Sequence, residues 1–285
     1  MEEALSAPPA AEMSMDAGPP PAGYDADFLG VDVPLPSPTA PRSTALLGYP
    51  RFSVMQDLDR RLAVVTGVNI DGATLLDIAR SGSWRLERRI ERDQQAGPDV
   101  YERNDLDRGH LVRRRDPGWG ERDEARAATV ATFVYTNAAP QVAGFNQSKD
   151  LWLGLEDHVL EYAEIQDLRL SVFTAPVLAA ADPPYRGIHI PLRFWKVAAW
   201  VDPDAGVTAT GFVLDQSELV APVVAARAVP PLGAFRTFQV ALAEIEELAA
   251  VDLGPLVAAD ILSAPGARDT PDWIPLRTPA DIRLG

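Results

Sequence analysis

One histidine stands directly behind an aspartate, an arginine and a glycine, in Asp107-Arg108-Gly109-His110, and a run of three more arginines, Arg113, Arg114 and Arg115, follows at once. Guanidinium groups around an imidazole disfavour its protonation, so His110 is expected to be a free base at neutral pH. A neutral imidazole among arginines suits one task well. It can take a proton from water beside a bound phosphate whose charge the arginines hold. Taken alone, such a histidine reads more simply as a half-buried residue bonded to a carbonyl, so the chemistry needs companions elsewhere in the chain.

The composition narrows what those companions can be. The chain has 285 residues, with 26 Lys and Arg against 41 Asp and Glu, for a formal charge of −15. There are no cysteines, which removes a disulfide framework, a thiolate metal site and a cysteine nucleophile together. His110, His158 and His189 are the only histidines, so a multi-histidine metal site is not expected. Any metal must sit on oxygen or on a lone imidazole, which favours Mg²⁺, Mn²⁺ or Ca²⁺. Neither a G-x-S-x-G elbow nor a P-loop pattern occurs. The N-terminus lacks the basic and apolar regions of a secretory signal, and no apolar run approaches membrane-spanning length, so the chain is read as cytoplasmic with no membrane partner.

The acidic balance argues against a nucleic-acid partner only until charge is read by segment. The first 41 residues hold seven acids and no Lys or Arg, whereas arginines crowd between Arg80 and Arg122 with acids interleaved.

The elements that must hold His110 are mostly strands. "RFSVMQD" and "RLAVVTGVNI" read as a hairpin around Asp57–Arg60. A helix is expected over Glu121–Thr132, followed by a strand in "TFVYTN" that ends at Asn137. "LWLGLEDHVLEYA" has apolar residues at helical spacing. "LRLSVFTAPVL", "RFWKVAAWVD" and "GVTATGFVLD" read as strands, the last two paired across Asp202–Gly206, and "VALAEIEELAAV" reads as a late helix. The fold class expected is α+β with a mainly antiparallel sheet and flanking helices. Residues 1–42 are rich in Pro and Ala and are expected to form an extended or disordered acidic arm, laid over the domain near Tyr24 and Phe28; residues 43–285 form the globular domain. Such an arm reads most simply as an inert solubilising tail or linker; the alternative is that, beside an arginine-lined groove, it damps binding of nucleic acid, most at low salt.

The companions of His110 lie in "TNAAPQVAGFNQSKDLWLGLEDH", residues 136–158. With the upstream DRGH, this stretch resembles the DNA/RNA non-specific endonucleases of the ββα-metal superfamily, the endonuclease G-like nucleases. Thr136-Asn137, Pro140-Gln141, Phe145-Asn146-Gln147, Trp152 and Leu155-Glu156 follow DRGH in the family's order. The resemblance spans roughly residues 48–250 and implies the ββα-metal nuclease fold.

It also implies roles. His110 matches the general base, and Asn146 the single protein ligand of a catalytic Mg²⁺, for which Mn²⁺ can substitute. Glu156 matches a residue acting on the metal through water, Arg108 an arginine that orders the phosphate, and Asn137 a supporting polar residue. Of the family's upstream arginine, Arg80, Arg85, Arg88 and Arg89 are all candidates, with Arg80 and Arg89 preferred. One departure stands out: Asn146 and Glu156 lie ten residues apart here and eight apart in well-known members. His158 and His189 read as structural.

The function implied is Mg²⁺-dependent, sequence-nonspecific endonucleolytic hydrolysis of DNA and RNA. The rivals are an inactive nucleic-acid-binding module of the same fold and a phosphodiesterase acting on small nucleotides. A nuclease of this kind calls for restraint, so an inhibitor or activating protein, or an effector role in defence or cell death, is expected by analogy; a homodimer is an open assembly.

Overall fold

Strands buried along almost their whole length must be covered on both faces, and this requirement organises the molecule. The computed structural model describes residues 23–142, 160, 163–224, 236–263, 273–278 and 281–283. Strands β1 (Thr44–Tyr49), β2 (Phe52–Asp57) and β3 (Leu62–Asp71) form an antiparallel meander. Its β2–β3 turn lies where the sequence predicts it. Strands β4 (Leu106–His110) and β5 (Ala138–Val142) pair antiparallel as a separate two-stranded unit. Strands β6 (Arg169–Pro176), β7 (Arg193–Asp202), β8 (Gly206–Asp215), β9 (Arg236–Val240) and β10 (Trp273–Leu276) complete an eight-stranded antiparallel sheet. Its order is β10-β9-β8-β7-β6-β3-β2-β1.

Alternation along β7 shows the two faces directly. Phe194, Ala198 and Trp200 belong to one hydrophobic cluster, while Trp195, Val197 and Ala199 belong to the other. The second face is covered by helix α3 (Leu242–Ala249) through Leu242, Ile245 and Ala249, and by the buried Val33 of the N-terminal segment. The first face carries β4, β5 and the segments around them, with Leu106, Leu111, Tyr135 and Val142 in its cluster. The functional layer therefore rests on a sheet whose other side is closed.

Helix α1 (Arg122–Ala131) matches its expected span, burying Ala125, Ala128, Thr129 and Ala131 on one side. "TFVYTN" does not form the expected strand. Val134 makes a single bridge to Arg85, Tyr135–Asn137 forms a 3₁₀ turn, and the strand begins one residue later at Ala138. The cause is Asn137, whose side chain is drawn into backbone hydrogen bonds with a different segment. Helix α2 (Ser217–Val224) and the strands β1, β4, β5, β9 and β10 are additions that the hydrophobic pattern did not announce. The predicted helix in "LWLGLEDHVLEYA" lies almost wholly outside the described residues.

Residues from Gly23 onward lie against the domain. Tyr24 donates its hydroxyl to the Val33 carbonyl at 2.7 Å, the Asp25 N–H bonds Asn69 Oδ1 at 2.8 Å, and Phe28 packs on Trp119 with centroids 5.5 Å apart.

Candidate active site

His110 ends β4, where it faces Ala138 of β5. Two aromatic rings enclose its imidazole. Trp84 lies 4.6 Å away, tilted by 43°, and Phe133 meets it edge-on at 5.0 Å. Nε2 is buried and has no hydrogen-bond partner. Burial, and then the charges of Arg80, Arg114 and Arg108, push the pKa of His110 down to about 3. Burial is the largest cause because a cation in an aromatic box loses its hydration; the three arginines add repulsion. The imidazole is a neutral base throughout the physiological range, as the sequence suggests.

The arginines arrive from three separate segments. Arg108 lies on β4 two residues before the histidine, with its guanidinium 5.7 Å from the Trp84 ring centre. Arg80 stands over the Phe133 ring at 5.6 Å. Arg114 is held by its Nη1–H donating to the Ile78 carbonyl at 2.6 Å, and its own pKa is lowered by burial and by Arg80 and its neighbours Arg115 and Arg113. These three cations gather positive charge around the imidazole.

Arg89 lies in a different arrangement. It grips Glu87 with two prongs, Nε to Oε1 at 2.9 Å and Nη2 to Oε2 at 2.8 Å, and donates to the Gly48 carbonyl at 3.0 Å. Tyr49 donates its hydroxyl to Glu87 at 2.6 Å. Together these donors hold the Glu87 carboxyl down at about 2, although burial opposes them. Of the two preferred upstream arginines, Arg80 is therefore the one brought to His110, while Arg89 is engaged in fixing Tyr49 and Glu87.

Asn137 is completely buried, and its amide is spent on backbone. Oδ1 accepts from the Val112 N–H at 2.8 Å; Nδ2 donates to the Val112 carbonyl at 2.9 Å and to the Thr132 carbonyl at 3.0 Å. The chain leaving His110 is thus clamped to the end of helix α1. Asn137 positions the site through the backbone. Gln216 does the same for β5, accepting from the Val142 N–H at 3.1 Å and donating to the carbonyls of Pro140 at 3.2 Å and Pro191 at 2.7 Å.

The loop bearing Arg114 is anchored at Trp119. Its indole N–H donates to the Asn69 carbonyl at 2.8 Å, and the Arg51 guanidinium sits 4.0 Å over the ring while also bonding the Pro117 and Trp119 carbonyls.

Gly109 explains why the motif has glycine before its histidine. A Cβ there would fall 2.1 Å from Cδ and Oε1 of Gln141, whose buried side chain crosses the β4–β5 pair. Both amide atoms of Gln141 lack partners.

The family model for DNA/RNA non-specific endonucleases matches residues 35–260. The chain belongs to that family. Among curated proteins, it is 38% identical over 287 aligned residues to the uncharacterized protein y4fB of Sinorhizobium fredii, covering 92% of this chain and 42% of y4fB. It thus spans less than half the length of that relative. Among solved structures, the crystal structure of the EndoG/EndoGI complex, which addresses the mechanism of EndoG inhibition, superposes with a TM-score of 0.57 at 18% identity. That match covers 75% of this chain and 86% of the other, and it shares the ββα-metal nuclease fold.

Asn146 and Glu156 of the endonuclease motif, and His158, which reads as structural, lie outside the described residues. Among the described residues no group of three His, Cys, Asp or Glu can hold a metal ion. Of the donor type a hydrated divalent cation takes, the described residues offer a buried, unpartnered carboxamide oxygen on Gln141, while the three guanidinium groups would repel a bare dication. His189 is structural, its Nδ1 lying 2.9 Å from the Asp182 carbonyl. Trp84 and Phe133, which pack on His110, and Arg114, whose charge acts on it, are not singled out by spacing; only the arginine run hints at the last.

Proposed function

We propose that this chain is a Mg²⁺-dependent endonuclease cutting DNA and RNA without sequence preference, with residues 43–285 as its catalytic domain and residues 1–42 as an arm on it. The observation that carries the reading is His110: an unpartnered, unprotonated Nε2 in an aromatic box edged by Arg80, Arg108 and Arg114.

In this reading the three guanidinium groups bind the scissile phosphate; in the free chain they keep His110 unprotonated, and the charge of the bound phosphate offsets their repulsion so that the imidazole can accept a proton. His110 Nε2 takes the proton of the attacking water as that oxygen closes on phosphorus. Trp84 and Phe133 fix the ring plane and exclude bulk water. Asn137 and Gln216 hold β4 and β5 in register so that base and arginines keep their geometry. Asn146 would hold the metal and Glu156 would assist through water; when bound, Mg²⁺ supplies positive charge to the phosphate and to the leaving 3′ oxygen. Arginines directed at phosphate rather than at base edges favour cleavage without sequence preference. A protein inhibitor is in keeping with the inhibited complex in which the EndoG fold was solved, and it suits a cytoplasmic nuclease.

The test is nicking of supercoiled plasmid and of structured RNA by the purified chain, with Mg²⁺ and with EDTA. Cleavage in Mg²⁺ and none in EDTA is expected. Asn146→Ala should lose most of that activity and regain part of it at high Mg²⁺ or Mn²⁺, since mass action refills a weakened site. Cleavage unaffected by chelator, or turnover of a dinucleotide without nicking of plasmid, would overturn the reading.

A further inference from the structure

The segment that places Trp84 on His110 continues into a concave surface that the catalytic reading does not use. This groove, about 400 Å³ in volume, is lined by Arg85, Leu86, Glu87, Arg88, Ile90 and Arg92, together with Gln95. Glu87, the one acid in its wall, is already paired with Arg89 and hydrogen-bonded by Tyr49. Glu91 and Asp93 do not line it. Three arginines thus face the groove, all of them exposed. Arg85 bonds the Val130 carbonyl at 3.1 Å, and Arg88 and Arg92 have no ion-pair partner among the described residues.

The groove is also rigidly built. Gln95 is fully buried and spends its side chain on this loop, accepting from the Glu87 N–H at 2.8 Å and donating to the carbonyls of Glu87 at 2.9 Å and Glu91 at 3.3 Å. Glu91 and Gln94 cap the short turn Arg92–Gln94 reciprocally. The backbone of Arg85 is bonded to Phe133 and Tyr135, at 3.1 Å and 3.0 Å. A surface loop ordered this thoroughly, yet carrying unpaired guanidinium groups, has the character of a preorganised anion site. It begins one residue from the tryptophan that touches the catalytic histidine.

We propose that this groove is a second phosphate subsite, which binds the backbone of the nucleic-acid strand beyond the scissile phosphodiester through Arg88 and Arg92. The chain then selects polynucleotides over dinucleotides by electrostatic grip rather than by reading bases. This inference rests on the nuclease reading of His110, but it is tested by binding rather than cleavage.

The experiment measures fluorescence anisotropy of labelled single-stranded DNA of two, six and twelve nucleotides with His110→Ala protein in EDTA, from 50 to 200 mM salt. Affinity is expected to rise with length. Adding Arg88→Ala and Arg92→Ala should weaken twelve-nucleotide binding roughly tenfold at low salt and flatten the log–log salt slope by about 1.4, the value for two lost phosphate contacts on a single strand. Arg88→Lys with Arg92→Lys should restore most of the affinity and slope. Arg277→Ala, the loss of one charge beside β10 at the opposite edge of the sheet, should cost less than twofold. An unchanged slope in the Arg88, Arg92 double variant, or an equal loss in Arg277→Ala, overturns the subsite. If the wild-type chain nicks no plasmid while length-dependent binding through Arg88 and Arg92 persists, the catalytic reading fails and the subsite stands.

Discussion

A free imidazole in a cationic, aromatic box makes the pH profile of catalysis unusual. An isolated histidine with a pKa of about 6.5 is only about 3% neutral at pH 5, so a nuclease relying on one would lose roughly thirtyfold in rate between pH 8 and pH 5. With His110 held down to about 3, the base is about 99% neutral at pH 5, and this loss disappears. The acid limb of kcat/KM should therefore lie below pH 5, with less than a twofold change between pH 5 and pH 7 that is attributable to the base. Since the shift arises first from burial in the Trp84–Phe133 box and then from Arg80, Arg114 and Arg108, opening the box should move the limb upward. Trp84→Ala should raise the apparent pKa more than Arg114→Gln does. The same shift has a consequence for stability. The folded state disfavours the proton that the unfolded chain accepts, so His110 contributes stability fully above about pH 6.5 and loses it progressively as pH falls toward 3, by at most a few kcal/mol. The assay is the initial rate of cleavage of a fluorogenic oligonucleotide from pH 4.5 to 8.5 at fixed ionic strength, with circular dichroism confirming the fold at each point. An acid limb centred near pH 6.5 in the wild-type chain would refute this electrostatic account of His110.

Three further outcomes follow from single contacts. Asn137→Ala strands the Val112 N–H and two carbonyls in the interior, and should cost about 2–4 kcal/mol in denaturant unfolding; a stable but inactive variant would instead make Asn137 a participant in the chemistry. Gly109→Ala drives a methyl into Gln141 and should lower the melting temperature by several degrees, and adding Gln141→Ala should recover most of that loss; no recovery would place the strain in the backbone instead. Removing residues 1–22, which include Glu2, Glu3, Glu12 and Asp16, should tighten DNA binding, with the advantage shrinking as salt rises. The cut stops at residue 22 because Tyr24 and Val33 are bound into the domain. Superimposable salt curves would leave the arm as a linker.

Much of the fold is legible because its central strands are long, largely apolar and β-branched runs bounded by turn residues, as strands covered on both faces are. The β7–β8 hairpin runs from Arg193↔Asp215 to Asp202↔Gly206, as the Asp-Pro-Asp-Ala-Gly turn implies. Helix α1 and the hairpin β2–β3 were equally plain. What the pattern hid was set by contacts distant in sequence. Strands β4 and β5 are five residues each and too mixed in composition to show a period. Gln216 secures β5 through a bond that spans 74 positions. In the site, the motif points to His110 and Arg108, but nothing local distinguishes Arg80, whose charge acts on the imidazole, from Arg89, which is bound to Glu87. Trp84 follows a Ser-Gly-Ser stretch that reads as loop, and only the packed structure brings its ring to His110.

The central claim is that His110 supplies the base for phosphodiester hydrolysis, and it is tested most directly by comparing wild-type and His110→Ala chains in Mg²⁺-dependent nicking of supercoiled plasmid. The account predicts that the variant binds DNA with wild-type affinity, melts within a few degrees of wild type and nicks slower by at least about a hundredfold, the contribution of a positioned general base. A folded His110→Ala chain that nicks plasmid within a few-fold of wild type would contradict it.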